Sequence, residues 1–400
     1  MNTKKLLPFI PIFLMAAFYS ISTNAQNKLS VANIPDSLRS GANAVVRYDE
    51  TILDFQNTRK MLLSKRFAAT VFNKKAEDLL DLFVYYKEGS DKVKNIKVRL
   101  LDKDGNELLK SGKNDIKDYI AKEGFEFVSD SRVKYVDNEL IELPLTVEYS
   151  YTLESNNTII PRWIPVRAYN ISVEKSSFEI KNIEPSTLQK KEQIDFSSCQ
   201  KLSEISYVCA GFKSLKYEPY SPSLINYVPV VFFNPASFEY EGYEGGFTNW
   251  EEYGKWKYDS FLLKSNDLDA EKTKNELDEI IGSETDKLKI TKLIYDYVQK
   301  QTRYIFIGLD EGGYKPMSSG TVHKYKYGDC KALSFYTKSL LDLYDIPANY
   351  VEINAGTSRT AMHDETFASI GQGNHIILNV PMGDSNIWLE CTSNDMPSTF

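Results

Sequence analysis

Tyr327-Gly328-Asp329-Cys330-Lys331-Ala332-Leu333 is the stretch on which the reading of this 400-residue chain turns. Leu333, Tyr336, Leu340, Leu341 and Tyr344 follow at helical spacing, so Cys330 falls in the first turn of an amphipathic helix. Unpaired backbone N–H groups and the positive end of the helix dipole favour a thiolate over a thiol at such a position. Asp329 has the chemistry of an N-cap, and Gly328 permits a tight backbone approach. A nucleophile placed here can use its own N–H as part of an oxyanion hole. A cysteine at a helix start also fits a small buried hydrophobe, and the segment alone does not choose between the two.

A thiol nucleophile needs a base, and the chain has three histidines. His323 lies upstream beside Lys324 and Lys326 and is expected in a loop, away from the chemistry. His363, in Ala361-Met362-His363-Asp364-Glu365, belongs to a polar loop over about 355–373; a solvated loop is the expectation, a cleft lining or metal contact the alternative. His375 opens Asn374-His375-Ile376-Ile377-Leu378-Asn379-Val380, which reads as a strand. A turn over 381–386 leads into Ile387-Trp388-Leu389-Glu390-Cys391-Thr392. A hairpin of these two runs sets His375 and Glu390 on adjacent strands, with alternation sending Leu389 and Cys391 into the core. Glu390 then orients His375 and stabilises its positive charge.

Further out, the front half is β-rich. From Ile141 to Leu153 the odd positions are apolar or aromatic and the even ones are Glu142, Pro144, Thr146, Glu148, Ser150 and Thr152. Period two predicts a strand with one wet face, and Pro144 places its start at a sheet edge. Ile96, Val98 and Leu100 alternate with Lys97 and Arg99 before an Asp102-to-Asn106 turn. Residues 44–52, 81–86, 132–137 and 171–183 read as strands too, and together they predict an antiparallel sandwich over 27–235. Cys199 and Cys209 lie in this region, where a disulfide between them is compatible with an oxidising compartment. Tyr240, Gly242, Tyr243, Gly245 and Gly246 read as a flexible connector. Thr248-Asn249 then caps a segment whose Trp250, Tyr253 and Trp256 share one helical face, a packing stripe. Helices are expected at about 269–281 and 286–302.

The first 25 residues read as a secretory signal peptide: Lys4 and Lys5, an apolar run from Leu6 to Tyr19, and Thr23-Asn24-Ala25 at the cleavage site. The expectation is an exported protein, periplasmic or in the cell envelope, with no membrane span after cleavage. Forty-eight basic against 55 acidic residues give a net charge of −7 with no basic block, which argues against nucleic-acid partners. Four cysteines are too few for a disulfide scaffold, and no zinc spacing is present, so no cofactor or metal is expected.

Taken together, Gly312-Gly313-Tyr314-Lys315-Pro316-Met317, the Tyr327-to-Lys331 block, Asp345-Ile346-Pro347-Ala348, Asn374-His375 and Trp388-Leu389-Glu390-Cys391-Thr392 resemble the transglutaminase-like superfamily. More narrowly they resemble a bacterial envelope group in which a β-rich domain of unknown function precedes that core. The resemblance implies an α+β, papain-like fold and a triad of Cys330 as nucleophile, His375 as base and Glu390 as acid. Tyr327, Asp329 and Asn374 are the expected substrate-binding neighbours. Two positions depart from the pattern: the acid is usually aspartate, and Asp345 stands where glycine is usual. The expected organisation is a signal peptide (1–25), a β-rich domain (27–235), a connector (236–265) and a core (266–400) that looks truncated at Phe400. The implied chemistry is acyl transfer through a thioester on a protein or peptide substrate. Water as acceptor gives a peptidase or amidase, which the resemblance favours, and an amine gives cross-linking. The alternative is a catalytically silent envelope protein that uses the fold to bind protein or glycan.

Overall fold

A computed structural model describes residues 27–121, 126–138, 142–194, 197–308, 314–356 and 366–398. The leader at 1–25, Gly312-Gly313, the His363-Asp364-Glu365 loop and the chain end at Phe400 lie outside the described residues. The architecture is mixed α/β and largely β-rich.

Fourteen strands precede residue 236 among the described residues. They are β1 (Ala44–Asn57), β2 (Lys60–Val71), β3 (Leu82–Lys87), β4 (Asp91–Leu101), β5 (Glu107–Lys110), β6 (Lys117–Ile120) and β7 (Glu126–Ser129), followed by β8 (Ser131–Val136), β9 (Leu145–Ser155), β10 (Ile171–Lys181), β11 (Leu188–Gln193), β12 (Cys199–Ser203), β13 (Ser206–Phe212) and β14 (Val230–Pro235). Eight of them form one sheet in the order β12-β13-β10-β1-β2-β9-β4-β5. A three-stranded sheet, β3-β8-β6, and the β11-β14 pair cover one face of it. Val46, Phe67, Val98 and Val147 of the large sheet pack on Leu82, Val84 and Val136, while Leu53, Phe178 and Ile180 pack on Leu188, Val231 and Phe233.

Two expectations need correction. The sandwich is not purely antiparallel, because β10 lies parallel to β1, with Ala44 opposite Ile171 and Leu53 opposite Ile180. The chain between β9 and β10 crosses the sheet with Trp163 and Val166 buried on it, a long-range choice that alternation within a strand cannot encode. Nor does Pro144 mark a sheet edge: β9 begins at Leu145 and pairs on both sides, with β2 and with β4. Pro144 precedes the ladder and removes no donor from it. The face expected to be wet is partly covered as well, since Thr146 is buried and its hydroxyl lies 2.8 Å from that of Thr70. At the far end of the sheet Cys199 and Cys209 stand directly opposite in the β12–β13 ladder and are joined by a disulfide.

The segment expected as a loose connector is built structure. It forms a hairpin of β15 (Phe238–Tyr240) and β16 (Tyr243–Gly245) that turns through Glu241 and Gly242, both at positive φ. The glycines after the turn serve close packing rather than freedom: a Cβ on Gly245 would stand 2.5 Å from the Phe238 ring, and one on Gly246 2.2 Å from the Ala236 carbonyl oxygen. Helix α1 (Trp250–Lys257) follows, with the Asn249 side chain accepting from the Glu252 N–H at 2.9 Å. Its Tyr253 and Trp256 pack with Phe238, Phe247 and Phe261, as the aromatic stripe predicts. A π-turn, Tyr258–Leu262, continues the helix.

Beyond it come α2 (Ala270–Ile281), α3 (Lys287–Gln301), β17 (Arg303–Tyr304), β18 (Phe306–Gly308), α4 (Ser319–Tyr325), β19 (Tyr327–Gly328), α5 (Cys330–Asp342), β20 (Asn349–Ile353), β21 (His375–Met382) and β22 (Ser385–Leu389). The sheet β20-β21-β22 buries Leu378, Val380 and Leu389 against Leu333, Tyr336 and Leu340 of α5 and Ile294 and Val298 of α3. The two parts of the chain touch through the backbone as well: β18 pairs in parallel with β7.

After α5 the chain reverses at Asp345, whose φ is +52°, while the Ile346 N–H reaches back to the Leu341 carbonyl at 3.2 Å. This is the left-handed closing turn for which glycine is suited. Asp345→Gly is therefore expected to stabilise the protein by about 0.5–1 kcal/mol, by relief of the left-handed strain. Urea unfolding of the two proteins reads the difference, and an unchanged or lower midpoint would refute it.

Candidate active site

Helix α5 begins where the sequence places it. Asp329 adopts extended backbone and its Oδ1 accepts from the Ala332 N–H at 2.9 Å, so the cap sets the direction of the first turn. Its other oxygen is held by the Lys331 ammonium, and both side chains are buried. Gly328 is needed for closeness, since a Cβ there would stand 2.7 Å from the Ala332 Cβ. The Ile305 N–H donates to the Gly328 carbonyl at 2.9 Å, tying the turn before Cys330 to the β17 side. Cys330 thus occupies the first helical position, nine per cent exposed.

His375 is the first residue of β21 and lies opposite Ile353 of β20. In the β21–β22 ladder Leu378 faces Leu389, and continuing that register sets position 390 beside 377, on the same face as His375. The diagonal is closed by a hydrogen bond: His375 Nε2 and Glu390 Oε2 are 2.7 Å apart. Glu390 Oε1 accepts from the Thr392 N–H at 2.9 Å and the Thr392 hydroxyl at 2.5 Å. The Tyr295 hydroxyl on α3 donates to the Glu390 carbonyl at 2.8 Å, which ties the backbone there to the helical layer.

Hydrogen bonding to Cys330 and then to Glu390 outweighs burial and lifts the His375 pKa to about 9. Burial pushes the Glu390 carboxyl up, but the bonds from His375 and Thr392 prevail and hold it below the usual carboxylate range. At neutral pH the pair is therefore an imidazolium and a carboxylate. The Tyr304 phenol beside them is pushed up to about 12, by burial first and then by the electrostatic influence of Cys330, Asp329 and Glu390, so it stays a neutral donor.

Of the residues expected to bind substrate, Asp329 and Asn374 are already engaged. Asp329 is consumed by the cap and by Lys331. The Asn374 amide clamps Ala355, accepting from its N–H at 2.7 Å and donating to its carbonyl at 2.8 Å. Asp329 borders a cleft of about 890 Å³ and Asn374 one of about 410 Å³. Tyr327 pairs with Arg303 in the β17–β19 ladder and is half-buried. The larger cleft also receives Lys87–Ser90 from the β3–β4 turn and Lys315–Ser318, so the front half of the chain contributes to the walls around the start of α5.

His323 is on helix α4 rather than in a loop, its Nδ1 2.9 Å from the Tyr336 hydroxyl and its Nε2 3.2 Å from Glu276 Oε2. It is a packing residue: burial lowers its pKa. Cys391 lies in the core with Leu389, and burial pushes its thiol up to about 12. Sequence reading gave no role to Thr392, to Tyr304 or to the partly buried pair of Lys257 with Glu352 at 2.5 Å. Thr392 was readable as a hydroxyl two positions from the acid. The Lys257–Glu352 pair joins residues 95 apart and leaves no local trace. Among the described residues no cluster of histidine, cysteine, aspartate and glutamate could hold a metal ion. No helix there is long and apolar enough to cross a membrane.

Over residues 61–198 the chain matches the family model DUF3857, a domain of unknown function with a solved structure. The match spans β2 to β11 and stops well short of Cys330. No curated protein matches the chain. Among solved structures, one named "a putative protease" from Parabacteroides distasonis superposes with a TM-score of 0.64 at 14% identity, over 87% of this chain and 67% of that one. A second, named "a putative cysteine protease" from Cytophaga hutchinsonii, has a TM-score of 0.24 at 10% identity, over 84% of this chain and 78% of that one. The first likeness shows a shared fold.

Proposed function

We propose that the chain is an exported, periplasmic or envelope thiol hydrolase, with a β-rich module at 27–235 followed by a transglutaminase-like core at 266–400. It cleaves a peptide or glutamine carboxamide bond through a thioester. The observation that carries this reading is the 2.7 Å contact of His375 Nε2 with Glu390 Oε2, together with Cys330 at the first position of a capped helix and acting on the same imidazole to raise its pKa. The order nucleophile, base, acid is that of a relay.

In the reaction the Cys330 thiolate attacks the carbonyl carbon and forms a C–S bond. The oxyanion is met by the Cys330 N–H, which as the first helical N–H has no intrahelical partner. The His375 imidazolium gives its proton to the departing amine as the C–N bond breaks. Neutral His375 then takes a proton from water, whose oxygen attacks the thioester; the C–S bond breaks and the acid is released with the thiolate restored. Glu390 keeps the ring oriented through both halves. An amine in place of water gives transamidation by the same steps.

Thiol labelling tests this directly. Cys330 and Cys391 are the free cysteines, both buried. At pH 7 iodoacetamide should alkylate Cys330 at least about 100-fold faster than Cys391, because the thiolate is the reacting species. Equal rates, read by peptide mass mapping, would leave the fold as a silent binding module.

A further inference from the structure

The run into the base, Gly371 to Asn374, is held at three of its four residues. The Gly371 N–H donates to the Tyr314 hydroxyl at 3.0 Å. Gly373 lies against Glu352 of β20: a Cβ there would stand 2.2 Å from the Glu352 Cγ, so only glycine fits with Glu352 where it is. The Asn374 N–H donates to the Ile353 carbonyl at 2.9 Å, beside the clamp of its side chain on Ala355. His375 follows immediately, opposite Ile353, and Ile376 lies opposite Glu352.

One cation reaches both Glu352 and Tyr314. Lys257, at the end of α1, is buried; its Nζ lies 2.5 Å from Glu352 Oε2 and 4.7 Å from the centre of the Tyr314 ring. Tyr253, one turn earlier on α1, donates its hydroxyl to the same Glu352 oxygen at 2.7 Å. Burial disfavours the ammonium and lowers its pKa, and the Glu352 carboxylate opposes that. Packing alone does not call for such a pair, because apolar side chains of the same volume often serve as well in a buried place. What an ion pair adds is direction: charge and hydrogen-bond geometry fix where Glu352 stands, and Gly373 is fitted to it.

We propose that Lys257 and Glu352 are positioning residues for the base: they fix the Gly371–Asn374 run and so hold the His375 ring where Glu390 and Cys330 meet it.

The test compares wild type with Lys257→Met, Gly373→Ala and Tyr314→Phe by histidine NMR and by turnover of a peptide substrate. The His375 titration, at about 9 in wild type, should fall by about one unit or more in Lys257→Met and Gly373→Ala, since a displaced ring loses its bond to Glu390 and the influence of Cys330. Charge removal alone gives the opposite sign in Lys257→Met, because taking away a nearby cation favours the imidazolium. Gly373→Ala changes no charge at all. Tyr314→Phe removes only the hydroxyl that holds Gly371; it should give a smaller fall, and it decides the matter if the other two do not fold. In the folded variants kcat should drop about tenfold or more with KM changed less than about threefold. A role in stability alone lowers the urea midpoint and leaves the titration in place. A His375 titration that stays or rises in the variants therefore overturns the proposal. The fall in kcat rests on the proposed thiol chemistry, and the titration does not. A fallen titration with equal alkylation of Cys330 and Cys391 in wild type keeps the positioning role and removes the catalytic reading. Fast alkylation of Cys330 with an unmoved titration does the reverse.

Discussion

If the proposed thiol chemistry holds, Cys330→Ala is expected to lower turnover of a peptide or carboxamide substrate by about 10⁴-fold or more, the scale on which relay nucleophiles fail when removed. Cys391, the other free thiol, is packed among Leu389, Leu378 and Tyr295 and kept protonated by burial. The same substitution has a spectroscopic signature. Cys330 is the leading cause of the raised His375 pKa, so the imidazole should titrate well below about 9 in the variant. Profiling a peptide library against both proteins, with histidine NMR on each, separates the outcomes. Activity retained within tenfold would remove Cys330 from the mechanism. An unmoved His375 titration would show that the thiol and imidazole do not interact.

Glu390→Gln is expected to lower turnover by about 10²–10⁴-fold while the fold is kept, since a neutral amide can hold the ring but not its charge. The pH dependence carries more information than the rate. His375 is raised from 6.5 to about 9, so its contribution to stability is fully present below pH 6.5 and is lost as pH rises through about 9. The shift corresponds to about 3 kcal/mol. Glu390 is shifted the other way, so its contribution is present above pH 4.5 and is lost on acidification through its lower folded value. Wild-type activity should fall on the alkaline side near pH 9, as the imidazolium that protonates the leaving amine disappears. In the Glu390→Gln protein that limb moves down towards neutrality, and urea unfolding at pH 6 and pH 9.5 shows a smaller difference than in wild type. Identical alkaline limbs in the two proteins would count against the pairing.

The local parts of the site were legible because local rules govern them. Asp329 caps and Leu333, Tyr336 and Leu340 repeat at helical spacing, so the start of α5 follows from adjacent residues. The same holds for the Asn249 cap of α1 and for the strands that begin at Ala44 and His375. Long-range choices were not legible. Alternation told which residues of β1 and β10 face inward, but not that the two strands run parallel in one sheet. The glycine-rich run at 242–246 was read as freedom, whereas Gly245 is small so that Phe238 and Trp256 can approach. A histidine flanked by lysines looked like a loop, and Val322 on the buried side of α4 makes it a helix.

The sequence by itself determined that Cys330 stands at a helix N-terminus, that His375 opens a strand, and that Glu390 comes within a hairpin's reach, because capping and periodicity act over a few residues. Only the tertiary structure decided that the histidine bonds Glu390, that Asp329 is held by its cap and by Lys331, and that Asn374 clamps the Ala355 backbone. Those outcomes depend on where α5, β20 and α1 meet, and such meetings are fixed by burial and packing among residues up to 100 positions apart, on which no short stretch of sequence bears.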